Sequence, residues 1–414
     1  MRLKIQPIER WVPYLGALWF LVVLDSFIVW NVFEPVLRLL AFIGVIWCSL
    51  ITRKLEYSRR AHILLIISSF FTVWLVMRMS QNVLGVVSYL LDFMPLIFLF
   101  FWTSDTLNDT YIIIRKVVIF FAIGGTIVSV LCLTGLISYI PYYVLPPREQ
   151  LHIMKGVEYH VYGCIPIISA GSIITGRACG MMREPGHMAV ILGFVYMIDR
   201  FRKHSVNWWV ISCGIFTFSS NFFLFVAFTE LHYLFYIKSW GKIIKYASVG
   251  LASLFLIYLF LPATIKDQVN YLFYERNMEK VVDVLEYSAS LDEALDERAS
   301  KISVSIYDHL KFGEFLFGGV KFDTANSLAD YRGLVLQVGF VGVLLSLLFY
   351  LVTLFKASRG LMLALFLSYC LIMAHRSWML RAPYIYFLSF ISVILFLRQS
   401  NENQLVQEQN DYAK

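Results

Sequence analysis

Two arginines, a glutamate and a histidine stand close together near the middle of the chain. They are Arg177, Arg183, Glu184 and His187, and an apolar segment begins immediately after Pro185. Ionisable side chains at the edge of an apolar segment are costly unless they are paired or face water. Arginine binds phosphate oxygens through its planar fork, and a carboxylate can orient or deprotonate a hydroxyl. The cluster predicts a site for an anionic, hydroxyl-bearing substrate; the alternative is an interfacial turn with anchoring arginines.

Other ionisable residues stand at the ends of further apolar segments. Asp330 and Arg332 come where an apolar segment begins, and His309 precedes them. A reacting hydroxyl needs a base within hydrogen-bond reach, and we rank Glu184, Asp330 and His309 in that order as catalytic candidates. Further cations that could bind an anionic substrate, or else anchor the chain in lipid headgroups, are Arg78, Arg376 and Arg381.

The composition indicates which elements position these residues. Of 414 residues, 59% are hydrophobic and 15% are charged, whereas soluble proteins carry about 25% charged residues. The apolar residues form blocks of about 17 to 23 residues, long enough to cross a hydrocarbon core as helices. The sequence therefore predicts an all-α, polytopic membrane protein. The net charge of +7 does not indicate a nucleic-acid partner, because the basic residues form short clusters between apolar blocks.

The apolar blocks predict twelve transmembrane helices. The pair 206–220 and 222–237 is expected either as two short helices with a turn between them or as one long broken helix. The predicted spans are 11–30, 34–52, 61–79, 83–102, 117–140, 186–199, 206–220, 222–237, 246–262, 331–354, 360–376 and 379–397.

The distribution of lysine and arginine orients these spans. Cytoplasmic loops carry an excess of both residues, and every second connection in the twelve-span arrangement is basic. Both termini are then cytoplasmic, and the expected location is the bacterial cytoplasmic (inner) membrane. The basic connections contain Arg2, Lys4, Arg10, Arg53, Lys54, Arg59, Arg60, Arg115, Lys116, Arg200, Arg202, Lys203, Lys238, Lys242, Lys245, Lys356, Arg359 and Arg398.

This topology divides the chain into six parts. A re-entrant or interfacial piece is expected at 163–176, a helical pair at 275–310, and a disordered polar tail at the end. The parts are five spans in 1–140, a first extracytoplasmic loop at 141–185, four spans in 186–262, a second, helical extracytoplasmic loop at 263–330, three spans in 331–398, and a cytoplasmic tail at 399–414.

Motifs for metal or nucleotide binding are missing from the sequence. It has no H-E-x-x-H, no paired C-x-x-C, no acidic metal-binding run in the outer loops and no Walker loop. We therefore expect neither a metal ion nor another cofactor. Cys164 and Cys179 both fall in the first outer loop, where they could either form a disulfide or remain free thiols.

Two segments resemble the bacterial O-antigen and capsule repeat-unit polymerases, which share a membrane fold with O-antigen ligases. Arg177 to Gly186 is similar to the family pattern R-x-x-G-x-x-x-E-P-G, and 316–342 is similar to the stretch that opens the span after the family's second outer loop. Together with the order of spans and loops, the resemblance covers about 155–345. Where many ligases have a His-Asn pair, this chain has Asp330, which favours a polymerase over a ligase.

The resemblance implies a metal-independent glycosyltransferase active outside the cytoplasmic membrane. It would transfer a growing glycan from its polyprenyl diphosphate onto a new lipid-linked repeat unit, producing O-antigen or capsular polysaccharide. The expected partners are the lipid-linked oligosaccharide, membrane lipid, a chain-length regulator and a flippase. Two alternatives remain open: an O-antigen ligase that attaches finished glycan to lipid A core or protein, and a secondary transporter of an amphiphilic anion. Transporters usually have internal repeats and broken helices at matched positions, which the sequence does not display.

Overall fold

The computed structural model of the chain is mostly helical, and its residues cluster into two compact units. The first unit comprises 1–120, 194–208 and 305–414, and the second comprises 121–193 and 209–304. The residues that the structure describes are 9–24, 26–27, 34–51, 55–79, 83–145, 157–170, 173–174, 176–203, 205–237, 248, 266, 306–320, 330–355 and 357–412.

Helices account for most of the described residues, as the apolar blocks predict. We number them in chain order. They are α1 (Val12–Val23), α2 (Glu34–Ile51), α3 (Arg59–Met79), α4 (Val83–Leu99), α5 (Ser104–Leu133), α6 (Pro185–Lys203), α7 (Trp208–Ile215), α8 (Ser220–Ile237), α9 (Phe312–Phe317), α10 (Tyr331–Thr353), α11 (Arg359–Arg376) and α12 (Pro383–Tyr412).

Four stretches in the described part of the chain are long and apolar enough to cross a membrane. They are α3, α5, α10 and the stretch Arg359–Arg381, in which a 3₁₀ turn follows α11. Shorter apolar helices occur at Val12–Val23, Val36–Leu50, Gly85–Leu99 and Pro383–Arg398. These helices are consistent with a membrane protein, although four such stretches are fewer than the twelve spans that we predicted.

The first predicted outer loop contains a sheet, not the helices and re-entrant piece expected there. Four antiparallel strands pair in the order β1 (Tyr143–Leu145), β2 (Val157–Tyr162), β3 (Ile165–Ala170) and β4 (Ile173–Ile174). Their Val, Ile and Tyr residues favour strands. Gly163, with φ +65°, occupies the tight turn between β2 and β3. The expectation was wrong because apolar content alone does not distinguish a short buried strand from a membrane-inserted segment.

A break interrupts α10 at Gly339, whose φ of +71° and ψ of 172° are not helical. Three carbonyl groups beside the break accept hydrogen bonds from outside the helix. The indole Nε1 of Trp74 donates to Val338 at 2.7 Å, and the amides of Gly319 and Val320 donate to Gln337 and Leu336. Such partners are what an irregular backbone in a membrane-spanning helix requires. This broken helix was not predicted from the sequence.

Three further boundaries differ from the predicted ones. α5 begins at Ser104, whereas the predicted span begins at 117, so its first turns carry charged residues. α7 and α8 are two separate helices, as one of the two alternatives had it, but the eight residues of α7 are too short to span a membrane. The polar tail is helical, since α12 continues to Tyr412.

Parts of two predictions lie outside the described residues. The predicted span 246–262 has only one described residue, at 248, and the predicted helical pair 275–310 is described only at 306–310.

Candidate functional site

The helix α6 follows the charged cluster and is buried along most of its length. Every residue from Pro185 to Phe201 is buried, and a helix that is buried on every face belongs to the interior. Its first position holds Pro185, where the missing amide of proline costs nothing. The carbonyl of Glu184 accepts the amides of His187 and Met188, which makes Glu184 the residue at which the helix begins.

The residues directly before α6 are the accessible part of the cluster. Arg183 and Glu184 are half-buried, whereas the His187 side chain is buried one turn into the helix. The partial positive charge of a helix N-terminus attracts anions, and Arg183 stands beside it. The second unit therefore presents a cation, a carboxylate and a helix N-terminus at one place. The binding of an anion and a hydroxyl there stays a prediction.

Arg177 has a structural contact that the sequence analysis did not anticipate. Its Nε donates to the carbonyl of Thr217 and its Nη2 to the carbonyl of Phe218, both at 3.0 Å. Phe218 has φ +46°, a left-handed conformation that is costly for a residue other than glycine. The amide of Ala178 adds a hydrogen bond to the carbonyl of Phe216. Arg177 thus fastens the segment before α6 to the turn between α7 and α8.

The next residues of this segment, Cys179 and Gly180, are closely packed. A Cβ added at Gly125 of α5 would lie 2.7 Å from the amide nitrogen of Gly180, so the two backbones touch. Gly180 itself has φ +58°. Burial raises the pKa of the Cys179 thiol to about 12, so this thiol is protonated at neutral pH and is a poor nucleophile. Cys164 and Cys179 are both free thiols, Cys164 exposed and Cys179 buried, so they do not form a disulfide.

In the first unit, Asp330 and Arg332 form a buried ion pair. The carboxylate of Asp330 accepts from the guanidinium of Arg332 at 3.0 Å and from its backbone amide at 2.9 Å, which caps the start of α10. The hydroxyl of Ser377 donates to the carbonyl of Asp330. This geometry suits Asp330 to holding Arg332 in place and to capping the start of α10.

Arg78 lies against two aromatic rings near the break in α10. Its guanidinium is 5.0 Å from the ring centroid of Trp74 and 5.6 Å from that of Phe317, distances typical of cation–π contacts. Its buried Nε has no hydrogen-bond partner among the residues that the structure describes. A Cβ added at Gly319 would come within 3.7 Å of its Nη1. The rings hold the cation in a defined orientation beside Gly319, whose amide donates to the carbonyl of Gln337 next to the break.

The remaining candidates of the first unit lie around the same helix ends. Arg381 donates to the carbonyl of Trp378 at 3.4 Å and approaches Sδ of Met79, the last residue of α3, at 4.0 Å. Arg376 is half-buried and His309 is exposed. The ring of Tyr307 packs against that of Tyr331 at 6.3 Å, which places the segment before His309 next to the start of α10.

The structure thus distributes the predicted site residues between its two units. The second unit holds Arg177, Arg183, Glu184 and His187, and the first unit holds the other candidates. Comparison with known proteins gives no match, whether by family models, curated sequences or solved structures. In the described part of the chain, no group of three His, Cys, Asp or Glu side chains is arranged to hold a metal ion.

A buried polar network around Asp199 was also not predicted from the sequence. Asp199, near the end of α6, is 1% exposed. Its carboxylate accepts from Arg115 Nε at 2.6 and 2.9 Å, from the Tyr111 hydroxyl at 3.0 Å and from Asn207 Nδ2 at 2.6 Å. A carboxylate inside a predicted span is the signal that could have revealed it. This network anchors the end of α6 that is opposite to Glu184.

Proposed function

We propose that this protein polymerises oligosaccharide repeat units carried on polyprenyl diphosphate, at the outer face of the bacterial cytoplasmic membrane. The product would be O-antigen or capsular polysaccharide. The proposal includes cytoplasmic termini and places 141–185 and 263–330 on the outer side of the membrane. A chain-length regulator and a flippase would be its partners.

The observation that carries the proposal is the N-terminal end of α6. Arg183 and Glu184 remain accessible there, while the seventeen residues that follow are buried. A polyprenyl diphosphate needs its charged group at a membrane boundary and its tail in hydrocarbon. An arginine fork beside a helix N-terminus suits the diphosphate, and the neighbouring carboxylate suits an acceptor hydroxyl.

The reaction follows from these two roles. The acceptor hydroxyl oxygen attacks the anomeric carbon of the donor glycan, and the bond from that carbon to the diphosphate oxygen breaks. The diphosphate leaves with the electron pair, and fixed cationic donors stabilise the charge that develops on it. The hydroxyl proton passes to Glu184. Arg183 therefore acts on the leaving group and Glu184 on the nucleophile.

The experiment that tests the proposal is the glycan profile of a deletion strain in the native host. The strain should attach single repeat units only, and the native gene should restore a ladder of long chains. Arg183→Ala and Glu184→Gln should fail to restore the ladder at matched protein levels in the membrane. Lys203→Ala, which removes an exposed cation from the opposite end of the same helix, should restore it and serves as the control.

The same experiment separates the alternatives. Long lipid-linked chains that remain unattached in the deletion strain would indicate a ligase. One specific observation favours the transporter alternative: α10 is broken at Gly339, and discontinuous helices often form transport sites. If the deletion strain accumulates complete lipid-linked repeat units only on the cytoplasmic side, the protein is a transporter and the polymerase proposal is wrong.

A further inference from the structure

An open groove of about 730 Å³ lies beside the start of α1 and the first turns of α5. Its volume is within the range of small-molecule sites, about 300–1,000 Å³. Part of its lining is apolar and is formed by Pro13, Tyr14, Ile112 and Ile113. All of its lining residues belong to the first unit and none belongs to the proposed reaction site.

The rest of the lining carries charges of both signs. Arg10 and Lys116 supply cations, and Asp109 supplies a carboxylate, together with Glu9 and Asp105. Asp105 is paired with Arg398 at 2.7 Å. The side chains of Arg10 and Lys116 have no hydrogen bond or ion pair within the described part of the chain, and Asp109 has only a long contact with Asn108, at 3.5 Å. Two cations and a carboxylate are therefore available to a ligand in one groove.

The aromatic residues nearby place the groove at the depth of lipid headgroups. Trp11 is 64% exposed and Tyr14 is 55% exposed, and their rings are 5.8 Å apart. Exposed tryptophan and tyrosine at the end of an apolar helix are typical of the boundary between membrane and water. The sequence of α5, on the other side of the groove, is consistent with this depth, because no charged residue follows Lys116 up to Leu133.

We propose that the groove binds a zwitterionic aminophospholipid of the phosphatidylethanolamine type. Arg10 and Lys116 would bind the phosphate, the first through its guanidinium fork and the second as a point charge. Asp109 would accept hydrogen bonds from the primary ammonium. The apolar lining would contact the start of an acyl chain. The site lies at the end of α5 where the chain enters the membrane, and it is separate from the residues proposed for catalysis.

The order and sign of the charges select this headgroup over others. An anionic headgroup without an amine would satisfy the two cations but would place a negative group beside Asp109. A phosphatidylcholine headgroup would offer its charge without an N–H donor. A primary ammonium provides three donors, and it is the group that a carboxylate binds by charge and hydrogen bond together.

The test is a titration of the purified, full-length protein with single phospholipids, followed by native mass spectrometry. We expect phosphatidylethanolamine to bind about two- to fivefold more tightly than phosphatidylglycerol or phosphatidylcholine with the same acyl chains, the range for a single exposed ion pair. Asp109→Asn should abolish that preference. Lys116→Gln should weaken all three lipids. Asp308→Asn and Lys203→Gln remove exposed charges elsewhere and should change neither result.

Several outcomes would overturn the proposal. Equal binding of the three lipids to the native protein would exclude a headgroup site of this kind. A preference for phosphatidylethanolamine that survives both Asp109→Asn and Lys116→Gln would place the site elsewhere. Tighter binding of phosphatidylglycerol would make this an anionic-lipid site. Competition by soluble phosphoethanolamine at the affinity of the lipid would show that the ligand is not taken from the bilayer.

Discussion

Lysine in place of Arg177 should impair folding, whereas lysine in place of Arg183 should impair catalysis. The two arginines lie in the same segment and were both predicted to bind diphosphate. Arg177 donates to the backbone of the turn between α7 and α8, which gives it a structural role. Lysine retains the charge but lacks the fork, so Arg177→Lys retains one of the two hydrogen bonds at most.

The magnitude follows from the lost contacts. A hydrogen bond from a charged donor contributes about 1.5–3 kcal/mol, and we take the lower end because Arg177 is only half-buried. Arg177→Lys should then lower the free energy of unfolding by about 1.5 kcal/mol, and Arg177→Ala by about 3 kcal/mol. The left-handed Phe218, which itself costs about 1–3 kcal/mol, should become the first part of this turn to open.

Titration of the purified protein with a denaturing detergent measures the change in the free energy of unfolding. Hydrogen exchange at the amides of 216–218 locates it. Arg183→Lys should shorten the glycan ladder at a matched level of folded protein in the membrane. The reasoning fails if Arg177→Lys unfolds like the native protein. If that variant is stable and yet makes no polymer, Arg177 binds the diphosphate after all.

Two more predictions concern the loop sheet and the broken helix. Cys164, exposed in the turn between β2 and β3, should react with a membrane-impermeant maleimide in intact cells, and Cys164→Ser should remove the label; labelling only after permeabilisation would contradict the outer location of this loop. Gly339→Ala should strongly reduce folded protein on fluorescence-detected size exclusion, because its Cβ would lie 2.4 Å from the carbonyl carbon of Phe317 and its φ is positive. Gly313→Ala, whose Cβ would have nothing within 4 Å, is the control, and equal yields of the two variants would contradict the packing at the break.

Local composition was enough to predict most of the helices. An apolar run that is long enough to cross the hydrocarbon core has one stable backbone conformation in lipid, the α-helix. The positions of α3, α10 and α11 therefore follow from the sequence within a few residues. The cluster before α6 could likewise be recognised from residue types alone. Its accessible members, Arg183 and Glu184, lie directly before α6, and their roles stay predictions.

Contacts between distant residues decided what the sequence could not. The break at Gly339 depends on glycines and an indole at 318, 319 and 74, and no local pattern signals that these will meet. The contacts of Arg177 with the carbonyls of Thr217 and Phe218 join segments that are 40 and 41 residues apart in the chain. The partners of Asp199 come from α5 and from Asn207. Residue type and periodicity describe a side chain's own segment, whereas pairing, burial and backbone strain depend on the segments packed against it, and only the tertiary structure specifies those.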